Sequence, residues 1–133
     1  MSLGTVNVAE GGKLKLRLDL GPCDGRLLMV TDRAVADVKL TAPHGARRGD
    51  QVTLKVEVVD EAGKPLSAVV PLQVEIRDPE GRPAEFSGYY GAAGGRASLT
   101  LDLAPNDVAG VWEIRARELA SGKSATAYLR VSE

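Results

Sequence analysis

Gln51-Val52-Thr53-Leu54-Lys55-Val56-Glu57-Val58 alternates polar and apolar residues without a break. In a strand, successive side chains point to opposite faces, so Val52, Leu54, Val56 and Val58 turn to a core and the residues between them to water. A helical period would scatter those four around the circumference. The same rhythm runs through Lys13-Leu14-Lys15-Leu16-Arg17-Leu18-Asp19-Leu20, with four leucines on one face. It recurs over residues 96–103, with Ala97, Leu99, Leu101 and Leu103 inward. Shorter segments of the same kind are expected over residues 27–31, 36–42 (Val38 and Leu40 inward), 69–77 (Leu72, Val74, Ile76) and 85–90. Two more are expected over 111–117 (Trp112, Ile114, Ala116) and 124–131 (Ala127, Leu129, Val131).

Turn chemistry separates these segments. Asp60-Glu61-Ala62-Gly63-Lys64-Pro65, Asp78-Pro79-Glu80-Gly81-Arg82-Pro83, Gly94-Gly95 and Ser121-Gly122 supply the positive and fixed φ angles that reversals need. No segment is long enough for a crossover helix, which excludes parallel α/β folds. The expectation is all-β: an antiparallel two-sheet immunoglobulin-like sandwich of about seven strands over residues 34–133. Residues 1–33 hold one strong strand and one short apolar run, and are read as an N-terminal β extension, a docked remnant of a preceding domain. Two strands alone are marginal in water.

The phrases Arg48-Gly49-Asp50-Gln51-Val52-Thr53-Leu54-Lys55-Val56, Asp60-Glu61-Ala62-Gly63-Lys64-Pro65-Leu66, Val74-Glu75-Ile76-Arg77-Asp78-Pro79-Glu80-Gly81 and Gly110-Val111-Trp112-Glu113-Ile114 resemble bacterial immunoglobulin-like and macroglobulin-like modules. The resemblance spans residues 35–132 and implies a strand with its hairpin, and a later strand carrying a core aromatic, Trp112. It departs from antibody-type domains in lacking paired cysteines, so Trp112 must pack on aliphatic side chains. The thioester of complete macroglobulin-type inhibitors needs a Cys and a Gln in one short loop, and Cys23 is followed by Asp24-Gly25. Residues 16–28 also look like the closing strands of β-domains that end bacterial glycoside hydrolases.

Composition narrows the function. The 133 residues carry 17 Lys+Arg against 18 Asp+Glu, a net charge of −1, which lacks the basic excess that a phosphate backbone demands; no nucleic-acid partner is expected. A hydrophobic share of 44% suits a folded domain, and no apolar run approaches the roughly 20 residues of a membrane span, so no membrane insertion is expected. One Cys and one His exclude an intrachain disulfide and a Cys/His metal cluster. Met1-Ser2-Leu3-Gly4 lacks the pattern of a secretion signal, and the chain is expected to be a segment of a longer protein.

Alternating strand direction sorts the loops by end. One end should gather residues 42–50, 78–83 and 104–108; the other 60–67, 91–95 and 118–123. Calcium candidates at the first end are Asp50, Asp78, Glu80, Asn106 and Asp107. Arg47, Arg48 and Arg82 would compete for them, and solvated turns are the expectation. Arg48-Gly49-Asp50 spells an adhesive tripeptide but reads as a turn entering a strand. His44 has no nucleophile motif to serve. No acid, base and nucleophile converge, so no catalytic residue, metal or cofactor is expected and the chain is not read as an enzyme. Tyr89-Tyr90 is the one aromatic pair, and alternation sends one ring out; it is the candidate ligand platform, able to stack on a sugar.

The expected function is a non-catalytic immunoglobulin-like module, a structural spacer or interaction domain of a larger bacterial extracytoplasmic protein, partnered by its neighbouring domains. The alternatives are a carbohydrate-binding accessory module of a glycoside-hydrolase-like protein, with polysaccharide as partner, and one domain of a macroglobulin-like protease trap. The resemblance implies a secreted, periplasmic or cell-surface location.

Overall fold

The computed structural model describes residues 11–12, 19–25 and 28–133. Eight strands follow in order: β1 (Asp37–Thr41), β2 (Gly45–Arg47), β3 (Gln51–Val59), β4 (Val70–Arg77), β5 (Gly88–Ala92), β6 (Arg96–Asp102), β7 (Gly110–Glu118) and β8 (Ser124–Ser132). They form a three-stranded sheet, β1-β3-β6, facing a five-stranded sheet, β2-β8-β7-β4-β5. The period-two residues meet between the sheets. Val52, Leu54, Val56 and Val58 lie against Leu72, Val74, Ile76, Trp112, Ile114 and Leu129 in one core cluster. Burying a side chain of this size contributes roughly 1.5–3 kcal/mol. The all-β, immunoglobulin-like sandwich is the architecture the alternation implied.

The phrase Asp-x-x-Gly-x-Pro is used twice, in the same way. After β3, Asp60 Oδ1 accepts from the Ala62 and Lys64 amides at 2.9 Å each, Gly63 takes φ +73°, and Pro65 bridges back to Val59. After β4, Asp78 Oδ1 accepts from the Glu80 and Arg82 amides at 2.9 Å, Gly81 takes φ +78°, and Pro83 bridges to Arg77. The aspartate side chain bonds the amides that the turn would otherwise leave unpaired, which is why this spacing ends a strand.

Three expectations need correction. First, β2 lies within residues 42–50, where a loop is expected; it pairs parallel with β8, Gly45 opposite Arg130 and Arg47 opposite Ser132, so the sandwich is not wholly antiparallel and the described residues form eight strands. Second, the strand expected over residues 85–90 begins only at Gly88. The Ser87 hydroxyl accepts from the Ile76 amide at 2.9 Å and donates to the Ile76 carbonyl at 3.2 Å, and the Ala84 amide takes the same carbonyl at 2.8 Å. Those bonds replace the ladder, so pairing starts only at Gly88. Third, residues 28–31 form no strand. Leu28 and Val30 are exposed, and Met29 packs against the core. The strand expected over residues 13–20 lies, for residues 13–18, outside the described residues; the described Leu20 is exposed and in no strand.

Residues 28–36 meet the sandwich at the end of loops 60–67 and 118–123. The Ala36 amide donates to the Val59 carbonyl at 2.8 Å, Lys123 Nζ donates to the Ala36 carbonyl at 2.8 Å, and Arg33 Nη1 donates to Asp60 Oδ2 at 2.6 Å. Among the described residues no helix is long and apolar enough to cross a membrane.

Candidate functional site

The loops fall at the two ends that strand alternation assigned. At one end the Gly49 amide reaches the Leu103 carbonyl at 2.9 Å and the Arg48 amide the Ser132 carbonyl at 3.0 Å. At the other, Gly95 bonds Ala68 and Val58, and Leu119 bonds Pro71. The carboxylates of the first end share that end but are each engaged in turns. Asp50 Oδ2 accepts from the Arg47 amide at 2.8 Å, Asp107 Oδ2 from the Ala104 amide at 2.7 Å, and Asp78 Oδ2 from Arg82 Nε at 2.8 Å. Arg82 also pairs with Glu80 at 3.0 Å. Burial pushes the Asp78 carboxyl up, but the Arg82 amide and guanidinium more than reverse this and hold it below its ordinary value. These acids serve their own backbone and one arginine. Among the described residues no group of three or more His, Cys, Asp and Glu is arranged to hold a metal ion.

Arg48-Gly49-Asp50 forms a tight turn, with Gly49 at φ +85° and the Asp50 amide donating to the Arg47 carbonyl at 3.0 Å. His44 and Cys23 are exposed, far apart in sequence and in separate loops.

Asp60 is 6% exposed, and its second oxygen holds Arg33. The Arg33 guanidinium, with the Lys64 and Ala62 amides, holds the Asp60 carboxyl below its ordinary value against the opposing effect of burial. A depressed carboxyl stabilises the fold above its unfolded-state pKa, and that contribution disappears as pH falls through the folded value. Stability measured by urea unfolding should therefore fall as pH drops below about 4. Asp60→Asn should flatten that decline without abolishing it, since Asp78 acts in the same direction. An unchanged pH profile would contradict the assignment.

Glu118 ends β7 fully buried. Its Oε1 accepts from the Ala120 amide at 2.6 Å, and its Oε2 from the Ser121 amide at 2.6 Å and from the Ser121 hydroxyl. The side chain is a plug for the β7–β8 turn, a role that strand alternation does not reveal, since Glu118 looks like one more hairpin carboxylate. Glu118→Gln turns one acceptor into a donor facing another donor. It should cost about 2 kcal/mol in urea unfolding, with no change in m-value.

Tyr89 and Tyr90 are separated by the sheet. Tyr89 is 74% exposed, and Tyr90 turns inward, its hydroxyl donating to the Phe86 carbonyl at 2.6 Å. Of this pair, only Tyr89 faces outward. Trp112 is buried, and its Nε1 donates to the Val108 carbonyl at 2.8 Å.

The outward Tyr89 does not stand alone. It shares a row with Gln73 of β4, Arg117 of β7 and Ser124 of β8. The next row sets Glu75 beside Arg115 and Thr126, and the one after it sets Arg77 beside Glu113 and Tyr128. A shallow hollow lies between Gln73, Glu75, Arg115 and Arg117. Tyr128 is 59% exposed. Alternation within each strand places these residues outward, but does not bring Tyr128 to the face of Tyr89.

The sandwich is similar to that of several solved structures. Adhesin InvE of Yersinia pseudotuberculosis matches with a TM-score of 0.56 at 14% identity, over 75% of this chain and 33% of the adhesin. Alpha-2-macroglobulin of E. coli matches with a TM-score of 0.55 at 15% identity, over 72% of this chain and 10% of that much longer one. The superoxide reductase (neelaredoxin) of Ignicoccus hospitalis matches with a TM-score of 0.54 at 15% identity, over 74% and 82%. At such identities the likeness is one of fold, and one fold hosting a reductase, an adhesin and a macroglobulin segment does not assign an activity. No curated protein sequence matches the chain. The family model of the MG2 domain matches residues 47–131, from the end of β2 into β8. That is most of the described sandwich, and the chain belongs to the MG2 domain family of macroglobulin-like modules.

Proposed function

We propose that this chain is a non-catalytic bead of a larger extracytoplasmic bacterial protein, fixing the spacing of its neighbours and offering them a surface. The observation that carries the reading is the MG2 match across the sandwich, a domain type that forms one part of multi-domain chains. The use of four of its carboxylates supports the reading: Asp60, Asp78, Asp107 and Glu118 each sit in a turn and bind backbone amides. Groups committed to a scaffold are poor acids and bases for an outside substrate. A macroglobulin-like parent is the second reading, favoured by the family and by the fold likeness to the E. coli macroglobulin.

Replacing the module in its full-length parent by a Gly/Ser linker of equal span tests this. The expected result is loss of the parent's assembly or activity while the flanking domains keep their melting transitions. A parent that works unchanged with the linker overturns the reading.

A further inference from the structure

The two outer faces of the sandwich differ in chemistry. On the three-stranded sheet Lys39, Lys55 and Arg96 are matched by Asp37, Glu57 and Asp102, and the other outward positions are Gln, Ser and Thr. Arg96 bonds Glu57 across strands at 3.0 Å. That face is balanced in charge, and none of its strand positions carries an exposed large apolar side chain. It is an ordinary solvated surface.

The outer face of the five-stranded sheet has the opposite character. Val69, Tyr89, Val111, Leu119 and Tyr128 are all exposed on it or at its margin. At one corner Gly91 stands opposite Pro71 with the Val69 side chain beside it, and the Leu119 amide bonds the Pro71 carbonyl. This groups Val69, Pro71 and Leu119 next to Tyr89. The charged strand positions are Arg47, Arg77, Arg115, Arg117 and Arg130 against Glu75 and Glu113, an excess of three positive charges on a chain whose net charge is −1. No lysine lies among these outward positions. The two glutamates sit opposite Arg77 and Arg115 in the register, and Arg77 approaches Glu75 at 4.0 Å. None of the ion pairs among the described residues includes Arg115, Arg117 or Arg130. Tyrosine and arginine without lysine is the composition that marks binding surfaces, because rigid rings and planar guanidinium groups lose little entropy on contact.

We infer that this face docks a protein surface bearing carboxylates and apolar side chains, such as the face of an adjacent domain. Its apolar groups would cover the Tyr89 corner, and a carboxylate would meet Arg115 and Arg117 at the hollow they share with Gln73 and Glu75. The charge excess selects the partner. A second copy of the chain would bring two positive faces together. A nucleic-acid strand would run its phosphates over Glu75 and Glu113, with few cations to offset them. The inference rests on reading the chain as a docking module and names the chemistry of what docks.

The test is a nuclear magnetic resonance titration of the chain with a random glutamate–tyrosine copolymer, beside a lysine–tyrosine copolymer and oligo-dT. Amide shifts confined to β4, β5, β7 and β8 are expected with the acidic copolymer. A loss of about tenfold in affinity is expected in Arg115→Glu/Arg117→Glu, and a comparable loss in Tyr89→Ser, with amide dispersion unchanged. Four results would overturn the inference: no shifts, equal shifts on both faces, equal or tighter binding of the lysine copolymer or oligo-dT, or sedimentation showing a dimer through this face. The Gly/Ser replacement in the parent reads the module role separately, so the two ideas can fail independently.

Discussion

Trp112→Ala is expected to lower the unfolding free energy by about 3–5 kcal/mol, a large share of what a domain of this size possesses. The indole is 5% exposed, stands opposite Leu129 in the β7–β8 ladder, and belongs to the central cluster with Leu54, Leu72 and Ile114. Alanine leaves a cavity that β-sheets cannot close, because their spacing is set by every other core side chain. It also strips the Val108 carbonyl of the Nε1 donor that fastens the 104–109 loop to β7. Trp112→Phe separates the two effects, keeping a ring and losing the bond, and should cost less than half as much. The chain has one Trp, so the series must be followed by far-ultraviolet circular dichroism in urea. Arg115→Ala, on the outer face, should stay within about 0.5 kcal/mol. Equal effects of Trp112→Ala and Arg115→Ala would contradict the assignment of faces.

Gly95→Ala is expected to be comparably damaging for a different reason. Gly95 turns the chain from β5, in one sheet, to β6, in the other, at φ +71°. A Cβ there would lie 2.7 Å from the Leu66 nitrogen and 2.8 Å from the Val58 oxygen. Both are backbone atoms in hydrogen bonds, Leu66 N to Val58 O at 3.1 Å and Val58 N to Gly95 O at 2.8 Å, so no side chain can swing aside. Relief requires moving β3 or the 60–67 loop. Gly94 is the internal control: it has φ +59° but nothing within 4 Å of its Cβ position. Gly94→Ala should cost about 1–2 kcal/mol for the left-handed conformation alone. Gly95→Ala should exceed about 4 kcal/mol or leave no soluble folded protein, a size seen only where packing forbids the new atom. Thermal melts of the two variants side by side check this, and equal melting temperatures would contradict it.

These cases show what could be read from the residues. Val52, Leu54, Val56 and Val58 declare their face because the period of a strand and the period of its neighbours coincide, and the twin Asp-x-x-Gly-x-Pro turns carry their own hydrogen-bond acceptors. The short strand Gly45-Ala46-Arg47 could not be seen that way, since its pairing comes from β8 at the far end of the chain. Nor could the start of β5 at Gly88 be seen, because the Ser87 hydroxyl takes the place of a ladder bond. Gly94 and Gly95 look equivalent in sequence, and only the approach of Val58 and Leu66 tells them apart. The docking face is legible in pieces: Glu75, Arg77, Glu113, Arg115 and Arg117 alternate with the inward residues of their strands and so must face outward. That they lie beside Tyr89 and Tyr128, on the sheet opposite the one with balanced charge, depends on strand order, which local pattern does not encode.

Asp60, Asp78, Asp107 and Glu118 are committed to turns of the scaffold, and the proposed function falls on the arginine and tyrosine face of the five-stranded sheet. Hydroxyl-radical footprinting of the full-length parent against this chain alone tests that claim most directly. Tyr89 and Tyr128 are expected to be oxidised readily in the isolated chain and protected in the parent, while Lys39 and Lys55 on the opposite sheet keep their reactivity toward amine labelling. Equal reactivity of Tyr89 and Tyr128 in the chain and in the assembled parent would contradict it.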